Sequence, residues 1–120
     1  MDIINIEIPN KASYISTVRL TVASVANKMN FNCEEIEDLT VSVSEACNFI
    51  IKNKKDSKFI AIKIISSEGN LEIHVRCDQE NRCENILSEE DYLGIMILEF
   101  LMDKVEMNEN GICLFKNKVK

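Results

Sequence analysis

Between residues 34 and 51 the chain contains neither Gly nor Pro, and Ile36, Leu39, Val43, Ala46 and Ile50 recur at steps of three and four. That spacing sets them in one stripe on an α-helix. A helix this long with a single apolar stripe needs a broad surface beneath it, so the remaining chain has to supply a sheet or a bundle. A second face carries Val41, Glu45 and Phe49 at steps of four, with Asn48 beside them. Side-chain chemistry is expected on that face. Asn32 reads as the N-cap, with Glu35 as its reciprocal partner. Lys52, Lys54 and Lys55 place cations at the C-terminal end, where the helix dipole favours them.

The flanking segments supply the surface. Ile4, Ile6 and Ile8 alternate with polar residues and predict a strand with one buried face. Pro9-Asn10 ends it and opens a helix over 13–29, whose apolar set is Ile15, Val18, Val22, Val25, Ala26 and Met29. A polar break around Phe31 follows. Residues 59–65 and 71–77 alternate about a turn at 66–70 and predict an antiparallel hairpin. The segment 78–87 reads as a loop. Ser88 caps a third helix with Glu89, Glu90 and Asp91 in its first turn, and its buried face is expected to be Leu93, Met96, Ile97, Phe100 and Leu101. Val105 and Met107 predict a short strand, Asn110-Gly111 a hairpin turn, and 112–115 the last strand. The order β-α-α-β-β-α-β-β predicts an α+β fold: a two-layer sandwich, with a mostly antiparallel mixed sheet of four to five strands and three helices on one face. One domain over 1–120 is expected.

Composition narrows the function classes. A formal net charge of −6 disfavours direct binding to nucleic acid, which rests on Lys and Arg neutralising phosphates. No apolar run is long enough to span a bilayer, and the first residues lack the basic-then-apolar character of a secretion signal. The five cysteines include no Cys-x-x-Cys pair, so buried, reduced thiols and a cytoplasmic setting are expected. His74, the single histidine, reads as a surface strand residue without metal-ligating neighbours. Met96, Met102 and Met107 read as core filler.

Three stretches resemble a known family. The first runs through Arg19-Leu20-Thr21-Val22-Ala23. The second joins Ile36-Glu37-Asp38-Leu39 to Val43-Ser44-Glu45-Ala46-Cys47. The third runs from Leu93-Gly94-Ile95 through Glu99-Phe100-Leu101 to Val105. In this order they are similar to the RsbW-type anti-sigma factor serine kinases of the GHKL, or Bergerat-fold, ATPase superfamily. The resemblance implies the histidine-kinase-like ATPase fold, with a shortened lid here. It further implies a homodimer, binding to a sigma factor of RNA polymerase and to an anti-anti-sigma factor, and phosphorylation of the latter on serine with ATP and Mg²⁺. Such a reaction needs a carboxylate base, a ligated metal and backbone amides over the phosphates.

Carried over residue by residue, the resemblance makes Glu45 the catalytic base. The position of the family's metal-binding asparagine, four residues on, is Phe49, whose ring offers no oxygen to a hard cation. Asn48 is one residue early. The adenine-anchoring aspartate falls on Cys77, with Asp78 adjacent. Of the glycines that close the lid only Gly94 remains, among the acids Glu89, Glu90 and Asp91, which repel a triphosphate. The threonine of the last strand falls on Cys113. Asn48, Asp78 and Gly94 are therefore the remnants of a nucleotide site, with no metal site and no cofactor expected. If Phe49 and Tyr92 fill the pocket beside Glu45, nucleotide is excluded; if that pocket is open, the kinase alternative stands. Arg19, the one cation in the stretch 12–27, is the candidate partner contact. The expected function is an anti-sigma-like regulator that binds its partners without efficient ATP use. The alternative is an active serine kinase in which Asn48 and Asp78 act from shifted positions with ATP and Mg²⁺.

Overall fold

A computed structural model of the chain describes residues 1–78 and 87–119. Its elements are β1 (Asp2–Pro9), α1 (Ile15–Lys28), α2 (Cys33–Asn53), β2 (Phe59–Ser67), β3 (Asn70–Cys77), α3 (Glu89–Leu101), β4 (Lys104–Asn108) and β5 (Gly111–Asn117), with a 3-10 turn at Ala12–Tyr14 leading into α1. The expected order holds. The strands form one sheet in the order β1-β2-β3-β5-β4. Every pairing is antiparallel, so no mixed pairing of the expected kind occurs.

One face of the sheet is buried by period-two alternation. Ile60, Ile62 and Ile64 of β2, Leu71, Ile73 and Val75 of β3, and Ile112 and Leu114 of β5 point inward and are all buried. Against them lie Val18, Val22, Val25 and Ala26 of α1 and Leu39, Val43, Ala46 and Ile50 of α2. Each fully buried aliphatic side chain here contributes about 1.5–3 kcal/mol relative to exposure. β1 is an edge strand, and only Ile8 of its alternating set is fully buried. Ile6 is half-buried and Ile4 exposed, because the helical layer does not reach the start of the strand.

The connections follow local chemistry. α1 ends in a Schellman motif. Asn30 takes the left-handed conformation at φ 64°. Phe31 N donates to Ala26 O at 3.1 Å and Asn30 N to Asn27 O at 3.0 Å, and Phe31 is buried. The polar break thus hides an apolar plug. α2 opens on the expected capping box, with Asn32 Oδ1 accepting from Glu35 N at 2.8 Å and Glu35 Oε1 from Asn32 N at 2.9 Å. Glu35 is itself buried and also accepts from Val119 N at 2.7 Å, which ties down the end of the chain. In the β4–β5 hairpin the loop residues are Glu109-Asn110, one position earlier than expected, with Asn108 Oδ1 accepting from Asn110 N and Gly111 N. Gly111 instead opens β5 against β3. A Cβ there would lie 1.9 Å from Val75 O, so the strands can close only over glycine.

α3 departs most from expectation. Among its described residues only Leu98 and Asp91 are buried. Ile97 and Leu101 are half-buried, but Leu93, Met96 and Phe100, expected on the buried face, are exposed. Met107 is exposed as well, leaving Met102 as the one methionine of the expected three that fills the core. The helix is apolar on nearly all sides, so its pattern did not say which side would face inward.

Candidate functional site

α2 and α3 run antiparallel and are fastened at both ends. At one end Lys116, rising from β5, donates to Leu101 O at 2.7 Å and to Asp38 Oδ2 at 3.3 Å. It supplies the C-terminal cation that α3 lacks in its own last turn. At the other end the last turn of α2 meets the capping box of α3. Ser88 Oγ accepts from Asp91 N at 3.2 Å and Asp91 Oδ2 from Ser88 N at 3.0 Å. Lys52 Nζ donates to Ser88 Oγ at 2.6 Å and lies 3.3 Å from Glu90 Oε2 and 3.5 Å from Asp91 Oδ1. Asn53 Nδ2 donates to Asp91 Oδ1 at 3.2 Å. Burial of Asp91 pushes its carboxyl upward, but the Ser88 N–H, Asn53, the Ser88 hydroxyl and the Lys52 charge outweigh it. The group is held below the ordinary carboxylate range.

Between these ends lies a cleft of about 120 Å³, lined by Glu45, Asn48, Phe49 and Lys52 of α2 and by Glu90, Asp91 and Gly94 of α3. Three of the anticipated site residues, Glu45, Asn48 and Gly94, therefore converge. Gly94 permits the close approach: a Cβ there would sit 3.3 Å from Glu45 Oε2. Phe49 lines the cleft, its ring half-buried against the core. Tyr92 does not line it and stands in solvent. The side chains that narrow the cleft are instead Lys52, Glu90 and Asp91. Lys52 was legible only as a dipole-matched cation, and the acids only as a first-turn cluster. The two sets lie on helices separated in sequence by β2 and β3, so no local signal pairs them.

Asp78 does not join the cleft. It accepts from the Ser57 hydroxyl and, at 3.1 and 3.2 Å, from Lys58 N at the start of β2. The Ser57 hydroxyl foremost, with the Lys58 N–H, holds its carboxyl below the usual range against the opposing effect of burial. Cys77, paired with Ile60, keeps the inward register and packs against the core. Cys113 points to the other face of the sheet, its Sγ 3.4 Å from His74 Nδ1, so it is not beside any pocket under the helices. His74 is less exposed than expected, bonded between Glu72 at 3.1 Å and Arg76 at 3.2 Å. The remaining lid positions, 79–86, and with them Cys83, lie outside the described residues. Cys47 and Cys113 are buried, and burial pushes the Cys47 thiol up to about 12, but Cys33 is exposed. Among the described residues no three His, Cys, Asp or Glu side chains are grouped to hold a metal ion, and no helix is long and apolar enough to cross a membrane. Arg19, on α1, does not line the cleft. It lines a separate groove of about 420 Å³ between α1 and α2 with Ser16, Leu20, Ala23, Ile36 and Thr40.

Comparison with known proteins agrees with this architecture. Residues 8–116 match the histidine kinase-like ATPase domain. The chain is 33% identical to the serine-protein kinase RsbW of Bacillus thuringiensis (strain Al Hakam) over 133 aligned positions, covering 96% of this chain and 83% of that protein. The same values hold for RsbW of Bacillus cereus (strain 03BB102). Among solved structures, the RsbU and RsbW domains of Rv1364c from Mycobacterium tuberculosis share the fold at a TM-score of 0.68 and 12% identity, over 98% of this chain. The chain spans 32% of the length of that larger protein. By sequence coverage and fold together, the chain belongs to the RsbW family of the histidine kinase-like ATPase domains.

Proposed function

We propose that the protein is a partner-binding regulator of the anti-sigma type that keeps the family fold and does not use ATP efficiently. The observation that carries this reading is the clamp of Lys52, Asn53, Ser88, Glu90 and Asp91 across the cleft beside Glu45. The described residues do not fit Mg²⁺ with a nucleotide. Phe49 offers no lone pair where an oxygen ligand is needed. The cleft of about 120 Å³ is small against the roughly 300–1,000 Å³ of sites that enclose a small molecule. Among the described residues the one cation lining it, Lys52, is already engaged by Ser88, Glu90 and Asp91. Binding would instead run through the α1–α2 groove, with Arg19 as the charged contact to a sigma factor or an anti-anti-sigma factor. A homodimer in the cytoplasm completes the reading.

Calorimetric titration with ATP and Mg²⁺ is expected to give no binding at millimolar nucleotide, while the cognate sigma factor is retained in a pull-down and lost with Arg19→Glu. Absence of any association with the sigma factor overturns the reading. One observation favours the alternative, an active serine kinase: Glu45 and Asn48 do meet in the cleft, and the curated relatives carry the name serine-protein kinase. Saturable ATP binding in the same titration would decide for it. Light scattering measures the dimer.

A further inference from the structure

A helix that is apolar all round is ordinarily covered all round, and α3 is not. Its inner side packs Leu98 and Leu101 into the core, with Ile97 half-buried beside them. Its outer side presents Tyr92, Leu93 and Met96, each more than half exposed, and Phe100, 87% exposed. At one hundred degrees per residue these four fall within one arc of the helix, at the i, i+4 and i+3, i+4 steps that make a continuous stripe. Isolated exposed apolar residues need no explanation; four large ones in a stripe on a single helix do. The stripe is bordered by Glu89 and Glu99, both exposed and neither ion-paired among the described residues.

From this we infer that the outer face of α3 is a docking surface for a basic amphipathic helix of a partner protein, whose apolar side would cover Tyr92, Leu93, Met96 and Phe100 while its Lys or Arg residues meet Glu89 and Glu99. Charge selects this occupant. A second copy of the chain would bring the same acidic border against itself, in a protein of net charge −6, and like charges across an interface are unfavourable. An anionic membrane surface is repelled for the same reason. Helix-on-helix docking of this kind reads anchors at i, i+3, i+4 and i+7, and Leu93, Met96 and Phe100 stand at i, i+3 and i+7 of that series. The surface is separate from the α1–α2 groove and does not depend on whether the cleft beside Glu45 takes a nucleotide.

The test uses a fluorescein-labelled amphipathic helical peptide of leucine and lysine, titrated with the full chain and followed by anisotropy. The peptide is expected to bind the wild-type protein. The double variant Met96→Ser/Phe100→Ser is expected to weaken binding on the order of tenfold or more. Glu89→Gln/Glu99→Gln is expected to weaken it and flatten its salt dependence. Leu20→Ser on α1 leaves binding unchanged, which separates this surface from the groove near Arg19. Because the altered side chains are solvent-exposed, each variant is expected to fold, with its thermal unfolding shifted only slightly. No peptide binding, equal binding by the Met96→Ser/Phe100→Ser variant, or equal binding of a leucine–glutamate peptide of the same pattern overturns the inference. So does a wild-type dimer that becomes monomeric in that variant, since the face would then belong to a second copy.

Discussion

α2 and α3 begin alike and are used differently. Each opens on a reciprocal cap, Asn32 with Glu35 in one and Ser88 with Asp91 in the other. α2 then buries a stripe of Leu39, Val43, Ala46 and Ile50 at the centre of the helical layer. α3 packs at the margin against α2 and the start of β4, and keeps Leu98 inside while Phe100 stands in water. A cap is a local device that sets where a helix starts. Which face is buried depends on how many neighbours the fold provides, and a marginal helix has fewer of them.

Four substitutions break or sharpen that contrast. The largest effect is expected from Leu39→Ala in α2, where a fully buried side chain leaves a cavity, at about 3 kcal/mol of stability lost in urea unfolding. Next comes Asp91→Asn, which weakens the cap of α3 and its tie to Lys52 and Asn53, at about 1–2 kcal/mol. This variant also flattens the pH dependence. Because the folded-state pKa of Asp91 is lowered, its contribution is fully present above the ordinary aspartate value of about 3.9 and is lost as pH falls through the folded value. The acid limb of the wild-type stability curve is therefore expected to be steeper than that of Asp91→Asn. A gain is expected from Ser42→Ala. The Ser42 hydroxyl is fully buried in α2 with no hydrogen-bond partner among the described residues, and its removal should raise stability by about 1 kcal/mol in the same unfolding assay. The smallest effect is expected from Phe100→Ser, within about 0.5 kcal/mol by thermal unfolding. A loss there approaching that of Leu39→Ala would mean that α3 is covered in the native protein and that the two helices are not so different.

The candidate site was legible in proportion to how local its parts are. Glu45, Asn48 and Phe49 share one helical face, and helical periodicity alone puts them together. Gly94 joins them across the α2–α3 contact. Asp78 and Cys113 were placed by alignment to strand positions, and on a strand one step decides the face. Asp78 turns back to Ser57 and Lys58, and Cys113 turns to His74 on the far side of the sheet. Lys116 and the Lys52 clamp were not legible at all as a site, because each joins elements distant in the sequence.

By itself, the sequence determined the order of elements, the central helix with its cap and stripe, the hairpins and the family. These rest on spacing within a helix or strand, on turn residues and on caps, all of which act over a few positions. Tertiary structure decided which side of α3 is buried, how Lys52 and Lys116 bind the two helices, and where Asp78 turns. Those outcomes depend on which surfaces the folded sheet and its neighbours leave to each side chain, and a nearly uniform apolar helix carries no pattern that states it in advance.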